Sequence, residues 1–187
     1  MMNERRQDPD VLAVHLAAAH RALTVDLAEL VVPEKAMRLR PPSAVGSGNL
    51  SEQDLAPLER WGIPNVEGLG FTAEAGGTLV EEVGSPGDPF FRICVYWRWQ
   101  IGVTGQGEVR GLQLEEWPDV FVNSSVDAFV ETSWRWYHTW LEVKEMGWFI
   151  EVFDVLDDFL EFAALRDPRV GLDERSLWKF VVRSMSG

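Results

Sequence analysis

Residues 122–130 read Val-Asn-Ser-Ser-Val-Asp-Ala-Phe-Val and mark the start of a helix. Asn123 or Ser124 can accept a hydrogen bond from an unpaired amide of the first helical turn, and Asp127 stands three residues after Ser124, as in a capping box. The charge of Asp127 also suits the positive end of a helix. The predicted secondary structure changes at this point, from strands before the cap to aromatic-rich helices after it.

A period of two runs through residues 69–121 and predicts antiparallel strands. The alternation is clearest between residues 91 and 101, which we expect to form one long, half-buried strand. Its predicted apolar face carries Phe91, Ile93, Val95, Trp97, Trp99 and Ile101. Gly105 to Gly107 predicts a hairpin turn, residues 108–114 its returning strand, and residues 84–89 a loop.

Helix signals occupy both ends of the chain. Asp8-Pro9 predicts the start of a long or broken helix that runs through Val11 to Leu30. Residues 41–49 predict a surface loop, and a short helix follows from Ser51 through Trp61 and ends at Gly62-Ile63-Pro64. Gly62 and Pro64 are the structural residues of that ending.

Two further helices follow the cap. In the first, one buried face is predicted for Val126, Val130, Ser133, Tyr137, Trp140 and Leu141. Gly147 then interrupts the pattern, and a second helix is expected from about 148 to 163. Its predicted buried stripe consists of Phe149, Val152, Phe153, Leu156, Phe159, Leu160 and Ala163. Asp167-Pro168 ends that helix, and Asp173 is expected to cap a last one.

Strands bracketed by helices, without alternating strand and helix units, favour an α+β fold. With 187 residues, 46% of them hydrophobic, the chain is long enough for one ordinary core and short for two. We therefore expect a single domain in which a mostly antiparallel, twisted sheet of about five or six strands packs against N-terminal and C-terminal helices. Residues 1–30 are expected to form a helical extension, and 31–187 the α+β domain.

The excess of acidic residues indicates which kind of molecule the protein binds. Seventeen basic and 30 acidic residues give a formal charge of −13, which argues against direct nucleic-acid binding and favours a basic protein partner. No stretch reaches the roughly 20 apolar residues that span a bilayer, and the polar N-terminus does not resemble a signal peptide. A single cysteine, Cys94, agrees with a reducing compartment. We therefore expect a cytoplasmic protein without a membrane partner.

A series of short motifs follows one another along the chain: Val31-Val32-Pro33-Glu34, residues 58–64 followed by Leu69-Gly70-Phe71, residues 101–109, residues 122–129, and Asp167-Pro168 with Leu177-Trp178. In this order they resemble the motifs of the fourth subfamily of the SUKH superfamily. Residues 122–129 resemble the most specific motif, a helix start in which Asn123, Ser124 and Asp127 take part. The resemblance covers roughly residues 30–184. The Trp-rich segment 134–140 departs from the family pattern.

The resemblance implies an immunity protein of a bacterial polymorphic toxin system. Such a protein binds and neutralises a cognate toxin domain without catalysis. A nuclease or nucleic-acid deaminase is the expected toxin type, because such enzymes have positive clefts that an acidic surface can occlude. The toxin itself, the mode of inhibition and the oligomeric state of the chain stay open.

Seven acids fall within the twenty residues from 142 to 161, where only Lys144 opposes them. They are the candidate toxin-binding surface, and the alternative is an ordinary solvated helix face. They are Glu142, Glu145, Glu151, Asp154, Asp157, Asp158 and Glu161. Trp136 is added as an interface anchor, because Trp134 and Trp136 are two positions apart and cannot share one buried stripe.

Other chemistry is not expected. His138 and Glu142 have helical spacing but too few companions for a metal site. Ser124 and Cys94 lack the surroundings of a nucleophile. We therefore predict no catalytic residues, no metal and no cofactor. Two alternatives remain open: a SUKH-like interaction or regulatory module not tied to a toxin, and a hydrolase or ligand-binding protein that uses its tryptophans in a deep pocket.

Overall fold

The computed structural model describes residues 8–38, 51–65, 71–72, 81–85, 88–113, 118–146 and 150–185. The predicted loop at 41–49 and the positions Gly147, Trp148 and Phe149 lie outside these residues. The described helices are α1 (Pro9–Thr24), α2 (Leu27–Leu30), α3 (Glu52–Arg60), α4 (Val126–Met146), α5 (Ile150–Arg166), α6 (Pro168–Leu172) and α7 (Leu177–Met185). The strands are β1 (Ala36–Met37), β2 (Ile63–Pro64), β3 (Phe71–Thr72), β4 (Glu81–Ser85), β5 (Asp88–Tyr96), β6 (Trp99–Thr104), β7 (Val109–Gln113) and β8 (Val120–Asn123).

The predicted α+β class and the antiparallel meander are confirmed. Strands β3 to β8 form one six-stranded antiparallel sheet in which β5, β6, β7 and β8 follow one another, while β3 and β4 both pair with β5. The hairpin at residues 105–107 joins β6 to β7 as predicted, and Gly107 has a φ of +81° there. Strands β1 and β2 form a separate antiparallel pair. Buried residues of helices and sheet form one hydrophobic cluster.

The prediction of one long strand over residues 91–101 is wrong, because the chain forms a tight hairpin there. Tyr96 pairs with Trp99, so the chain reverses at Trp97 and Arg98, and Trp97 is 61% exposed instead of sharing a buried face with Trp99. The turn contains no Gly, Asn, Asp or Pro, the residues that mark turns in a sequence. Trp97 has a φ of +51°, and holding a bulky residue there costs about 1 to 3 kcal/mol.

Two other details of the sheet differ from the alternation in the sequence. The pairing of β5 with β6 shifts between Arg92 and Cys94, so both Ile93 and Cys94 are buried. Such a bulge adds one unpaired residue and changes the face of the residues that follow. The predicted loop at 84–89 is also wrong for most of its length, since Gly84 and Ser85 pair across a hairpin with Pro89 and Asp88.

Helix α4 is buried on nearly every side, in contrast to the single buried face expected. Helices α1, α2, α3 and α5 and strands β2 and β8 all contact it. Trp134 and Trp136 are 0% and 1% exposed, so the expectation that one indole reaches solvent is wrong. The Nε1 of Trp134 donates to the carbonyl of Gly62 at 3.0 Å, and Trp136 packs against Phe159 with ring centroids 4.9 Å apart.

The cap of α4 is one residue later than predicted. Ser125 accepts a hydrogen bond from the amide of Ala128 at 3.2 Å, which is the geometry of an N-cap residue. Asp127 does not complete a capping box with Ser124, because it forms an ion pair with Arg166 of α5. Asn123 and Ser124 are thereby left for another role.

That role is a buried polar cluster, defined as Asn123, Ser124, Asp167 and Trp178. The Asp167 carboxylate, 3% exposed, accepts hydrogen bonds from the amide and hydroxyl of Ser124 and from the side-chain amide of Asn123. The carbonyl oxygen of the Asn123 side chain accepts from the Nε1 of Trp178 at 3.0 Å. One set of hydrogen bonds thus ties the end of β8 to α6 and α7.

The same carboxylate starts α6 by accepting from the amide of Arg169 at 3.3 Å. The prediction that Asp173 caps the last helix is wrong. Asp173 instead accepts from the amide of Arg175 at 2.8 Å within the preceding turn, and α7 begins only at Leu177.

Helices α1 and α2 belong to the same hydrophobic cluster as the sheet. Asp8 caps α1 as predicted, and the expected N-terminal helix is broken between Thr24 and Leu27. The guanidinium of Arg135, on α4, donates to the carbonyls of Ala22 and Val25 at 2.8 and 3.1 Å. It thereby satisfies carbonyls that the end of α1 leaves without helical partners.

We expect Asp167→Ala to lower the free energy of unfolding by about 3 kcal/mol, because it leaves the buried side-chain amide of Asn123 and the partly buried donors of Ser124 and Arg169 without their acceptor. Urea denaturation measures the change. Glu59→Ala is the matched control, since Glu59 is exposed on α3 and its loss should change stability by no more than about 0.5 kcal/mol. Equal effects of the two substitutions would contradict a stabilising role for the buried polar cluster.

Candidate functional site: the outer face of helix α5

Helix α5 buries one stripe and exposes a strongly acidic one. Val152, Val155, Leu156, Phe159 and Ala163 are each at most 5% exposed. On the opposite side lies the acidic face, which we define as Glu151, Asp154, Asp157, Asp158 and Glu161. The last four of these side chains are exposed and Glu151 is partly buried.

The carboxylates of the acidic face are not neutralised by basic side chains of the described part of the chain. Among the residues that the structure describes, none of its five carboxylates has an ion-pair partner. Asp154 stands three residues after Glu151, and Asp157 stands three residues after Asp154 and four before Glu161. Asp158 has the mirrored spacing of Asp157, so five like-charge pairs are neighbours on the helix surface. Each such pair destabilises a helix by about 0.2 to 0.5 kcal/mol. The face therefore weakens the helix that carries it.

Apolar side chains stand at both ends of the acidic face. Phe153 is 43% exposed and Leu165 is 77% exposed. The spacing places Phe153, Asp157, Glu161 and Leu165 on one ridge of the helix, each four residues from the next. Single exposed apolar side chains are common on protein surfaces, so Phe153 and Leu165 do not form an apolar patch by themselves. They would add contact area to an interface that covers the acidic face between them.

Sequence reasoning missed both apolar residues. Phe153 was predicted to be buried because it borders the apolar stripe, and that prediction is wrong. On a helical wheel of about 100° per residue it falls between Leu160 and Asp157, at the edge of the stripe. Leu165 could have been found, because it stands four residues after Glu161 and lies among the acids on the wheel.

The remaining predicted contact residues lie elsewhere. Glu142, on α4, accepts from the Nδ1 of His15 at 2.7 Å and so joins α4 to α1. Glu145 is exposed near the end of α4. Trp136 is buried against α5, which excludes it as a surface anchor in this conformation. The seven acids of the sequence therefore divide between two helices.

The other residues considered for catalysis or metal binding take part in structural contacts or are buried. The Nε2 of His138 donates to the carbonyl of Leu30 at 2.7 Å, while Glu142 pairs with His15, so His138 and Glu142 are not joined as metal ligands. The described residues contain no group of three or more His, Cys, Asp or Glu side chains able to hold a metal ion. Burial raises the pKa of the Cys94 thiol far above its ordinary value, which disfavours the reactive thiolate.

An open cleft of about 470 Å³ lies between α3 and the start of α4. Arg60 stacks over the ring of Trp61 at its edge, 4.2 Å from the ring centroid. The two carboxylates that line it have partners already, since Asp54 accepts from Ser51 and Asp127 pairs with Arg166. The cleft does not include the acidic face.

An ion-pair network holds α5 in its orientation on α4. Arg166, at the end of α5, pairs with Asp127 and Glu131, and Glu131 also pairs with Arg135 at 2.6 Å. Burial raises the pKa of Glu131, but the hydrogen bonds and charges of Arg135 and Arg166 outweigh this and leave its pKa below the ordinary value. The network therefore stabilises the fold while Glu131 is ionised.

Comparison of the chain with protein-family models, with curated proteins and with solved structures gives no significant match. No described helix is long and apolar enough to cross a membrane.

The lowered pKa of Glu131 predicts a loss of stability in acid. Its contribution is complete above the unfolded-state pKa, about 4.3, and disappears as the pH falls through the lower folded-state pKa. We expect Glu131→Gln to be clearly less stable than the wild type near pH 7, with a difference that shrinks toward about pH 3. Urea denaturation across this range measures it. A constant difference at every pH would contradict the ion-pair account.

We expect Asp157→Lys to stabilise the isolated protein. The substitution replaces two repulsive pairs, with Asp154 and Glu161, by two attractive ones, which amounts to about 1 kcal/mol or a rise in Tm of about 2 to 4 °C. Asp157→Asn should give a smaller gain, because it only removes repulsion. The gains should shrink in about 1 M salt, where the Debye length is short. A gain unaffected by salt would point to helix propensity instead.

Proposed function

We propose that the protein is an immunity protein that neutralises a cognate toxin domain by stoichiometric binding. The observation that carries the proposal is the acidic face of α5, which has no counter-charge among the described residues and is flanked by exposed Phe153 and Leu165. A basic partner supplies the missing charges, and its apolar groups cover the two hydrophobic side chains.

The physical argument concerns what such a face does to an enzyme acting on nucleic acid. Such an enzyme needs a positive cleft to attract phosphates. A concentrated negative face competes for that cleft, accelerates encounter by electrostatic steering and excludes substrate once bound. Inhibition of this kind needs no catalytic residue, metal or cofactor on the immunity protein. A nuclease or nucleic-acid deaminase is therefore the proposed toxin type.

The resemblance to the SUKH superfamily supports the same function. Two of its motifs are residues 122–129 and the segment from Asp167 to Trp178, and the hydrogen-bonded residues of the two are 43 to 55 positions apart in the chain. In the fold they contribute to the same buried polar cluster, through Asn123, Ser124, Asp167 and Trp178. A shared hydrogen-bond network gives a physical reason for two such motifs to occur together.

The proposal places the protein in the cytoplasm, where a toxin that acts on nucleic acid reaches its substrate. The single cysteine, which is buried and unpaired to any other cysteine, agrees with a reducing compartment.

Co-expression of the chain with the polymorphic-toxin C-terminal domain encoded nearest to it tests the function. We expect cells to survive and the two proteins to purify together. Replacing Asp154, Asp157 and Asp158 by Lys should weaken the complex by tenfold or more in low salt, and by less in high salt, because the lost attraction is electrostatic. Binding is measured by titration calorimetry at two salt concentrations.

The matched control replaces Glu34 and Glu59, which are exposed acids away from α5, by Lys. It should leave rescue and affinity unchanged. If the α5 substitutions leave the affinity of the complex unchanged, the acidic face is not part of the interface. If the cells are not rescued and no complex forms although both proteins are folded, the proposal of toxin neutralisation is overturned. That result would favour an interaction module with another role.

A further inference from the structure

The tip of the β5–β6 hairpin presents an exposed indole on a fixed support. Trp97 is 61% exposed. Its ring stacks beside Tyr96, with centroids 6.2 Å apart, and meets the ring of Phe180 edge-on at 5.9 Å. Among the described residues, none accepts a hydrogen bond from its Nε1. Two rings thus hold the indole in place while most of its surface faces solvent.

The backbone at this tip is of a kind that favours glycine. Tyr96 pairs with Trp99, so Trp97 and Arg98 are the two residues of the turn. Trp97 is the one non-glycine residue with positive φ in the described part of the chain, so only the first turn residue has it. Two-residue turns with this pattern are of type II′, in which the first position is usually Gly. Folding alone therefore favours Gly at position 97, where the chain has a tryptophan.

The strain distinguishes Trp97 from other exposed apolar side chains. Val14 and Leu172 are also exposed, but both lie in helices without positive φ. Single exposed apolar residues are ordinary on a protein surface. Strained backbone positions that persist in a fold are concentrated at functional sites, and tryptophan is among the residue types that dominate protein interfaces. The tip therefore has the properties of an interface anchor.

The tip lies one helix away from α5. Trp97 meets Phe180 on α7, and Trp178, two residues earlier on α7, meets Phe159 of α5 with ring centroids 5.7 Å apart. Packed helices are about 10 Å apart. An interface of ordinary size covers about 800 Å² on each partner and is roughly 30 Å across. A protein domain that binds α5 is therefore large enough to reach the tip as well.

We propose that Trp97 is the anchor that holds the cognate toxin domain on this protein, an inference that rests on the proposed function. The toxin domain supplies an apolar pocket for the indole, with a hydrogen-bond acceptor for its Nε1. The two surfaces then divide the work of binding. The charges of α5 act mainly on the rate of association, and the buried indole slows dissociation.

Trp97→Asn tests the anchor, because Asn removes the indole and adopts positive φ more readily. We expect the free protein to become slightly more stable in urea denaturation. The rate constant of dissociation from the toxin domain should rise about tenfold or more. The association rate constant should change by no more than about twofold, with the same dependence on salt. Surface plasmon resonance with the toxin domain of the co-expression experiment measures both rate constants.

The matched control is Val14→Gln on α1, which removes an exposed apolar side chain without touching a strained position. It should leave both rate constants unchanged. Replacing Asp154, Asp157 and Asp158 by Lys should give the opposite pattern, with slower, salt-dependent association and a smaller change in dissociation.

The results separate this proposal from the proposed function. If Trp97→Asn dissociates at the wild-type rate while the α5 substitutions weaken the complex, the tip is not in the interface and the proposed function stands. If Val14→Gln speeds dissociation as much as Trp97→Asn does, the loss is not specific to the tip and the anchor is also excluded. If the wild type forms no complex with the toxin domain, both proposals are overturned.

Discussion

The buried carboxylate of Asp167 is the constraint on which the order of the C-terminal half depends. It lies in the core and is held by donors from Ser124, Asn123 and Arg169, while Asn123 in turn accepts from Trp178. A buried charge is tolerated only when its hydrogen bonds are complete. The end of β8, the start of α6 and the indole of α7 must therefore occupy these positions together, and α5, which leads directly into Asp167, is placed with them.

Helix α4 completes the arrangement by serving as the central element. It is covered by helices, by β2 and by β8, so its indoles and even Arg135 contribute to the interior. Arg135 and Glu131 connect it to α1 and to Arg166 of α5. Helix α5 packs on α4 with its apolar stripe and turns its acidic face to solvent.

The two surfaces discussed here share a physical property, since each is unfavourable for the isolated chain. Mutual repulsion along α5 and the positive φ of Trp97 both reduce stability, and both expose aromatic rings. Natural proteins keep such features at sites where binding needs them.

Local signals in the sequence determined the α+β class, the antiparallel hairpin at residues 105–107, the start of α1, both ends of α3 and the exposed acids of α5. Capping residues, glycine turns and helical periodicity act over a few neighbours, which is why these features could be predicted. Only tertiary structure decided the rest. Trp136 is buried because α5 packs over α4, and Phe153 is exposed because nothing described covers the edge of its stripe. Likewise Ser124 bonds to Asp167 instead of capping α4, and the chain turns at Trp97 without a turn residue, since distant hydrogen bonds and strand pairing outweigh local preference.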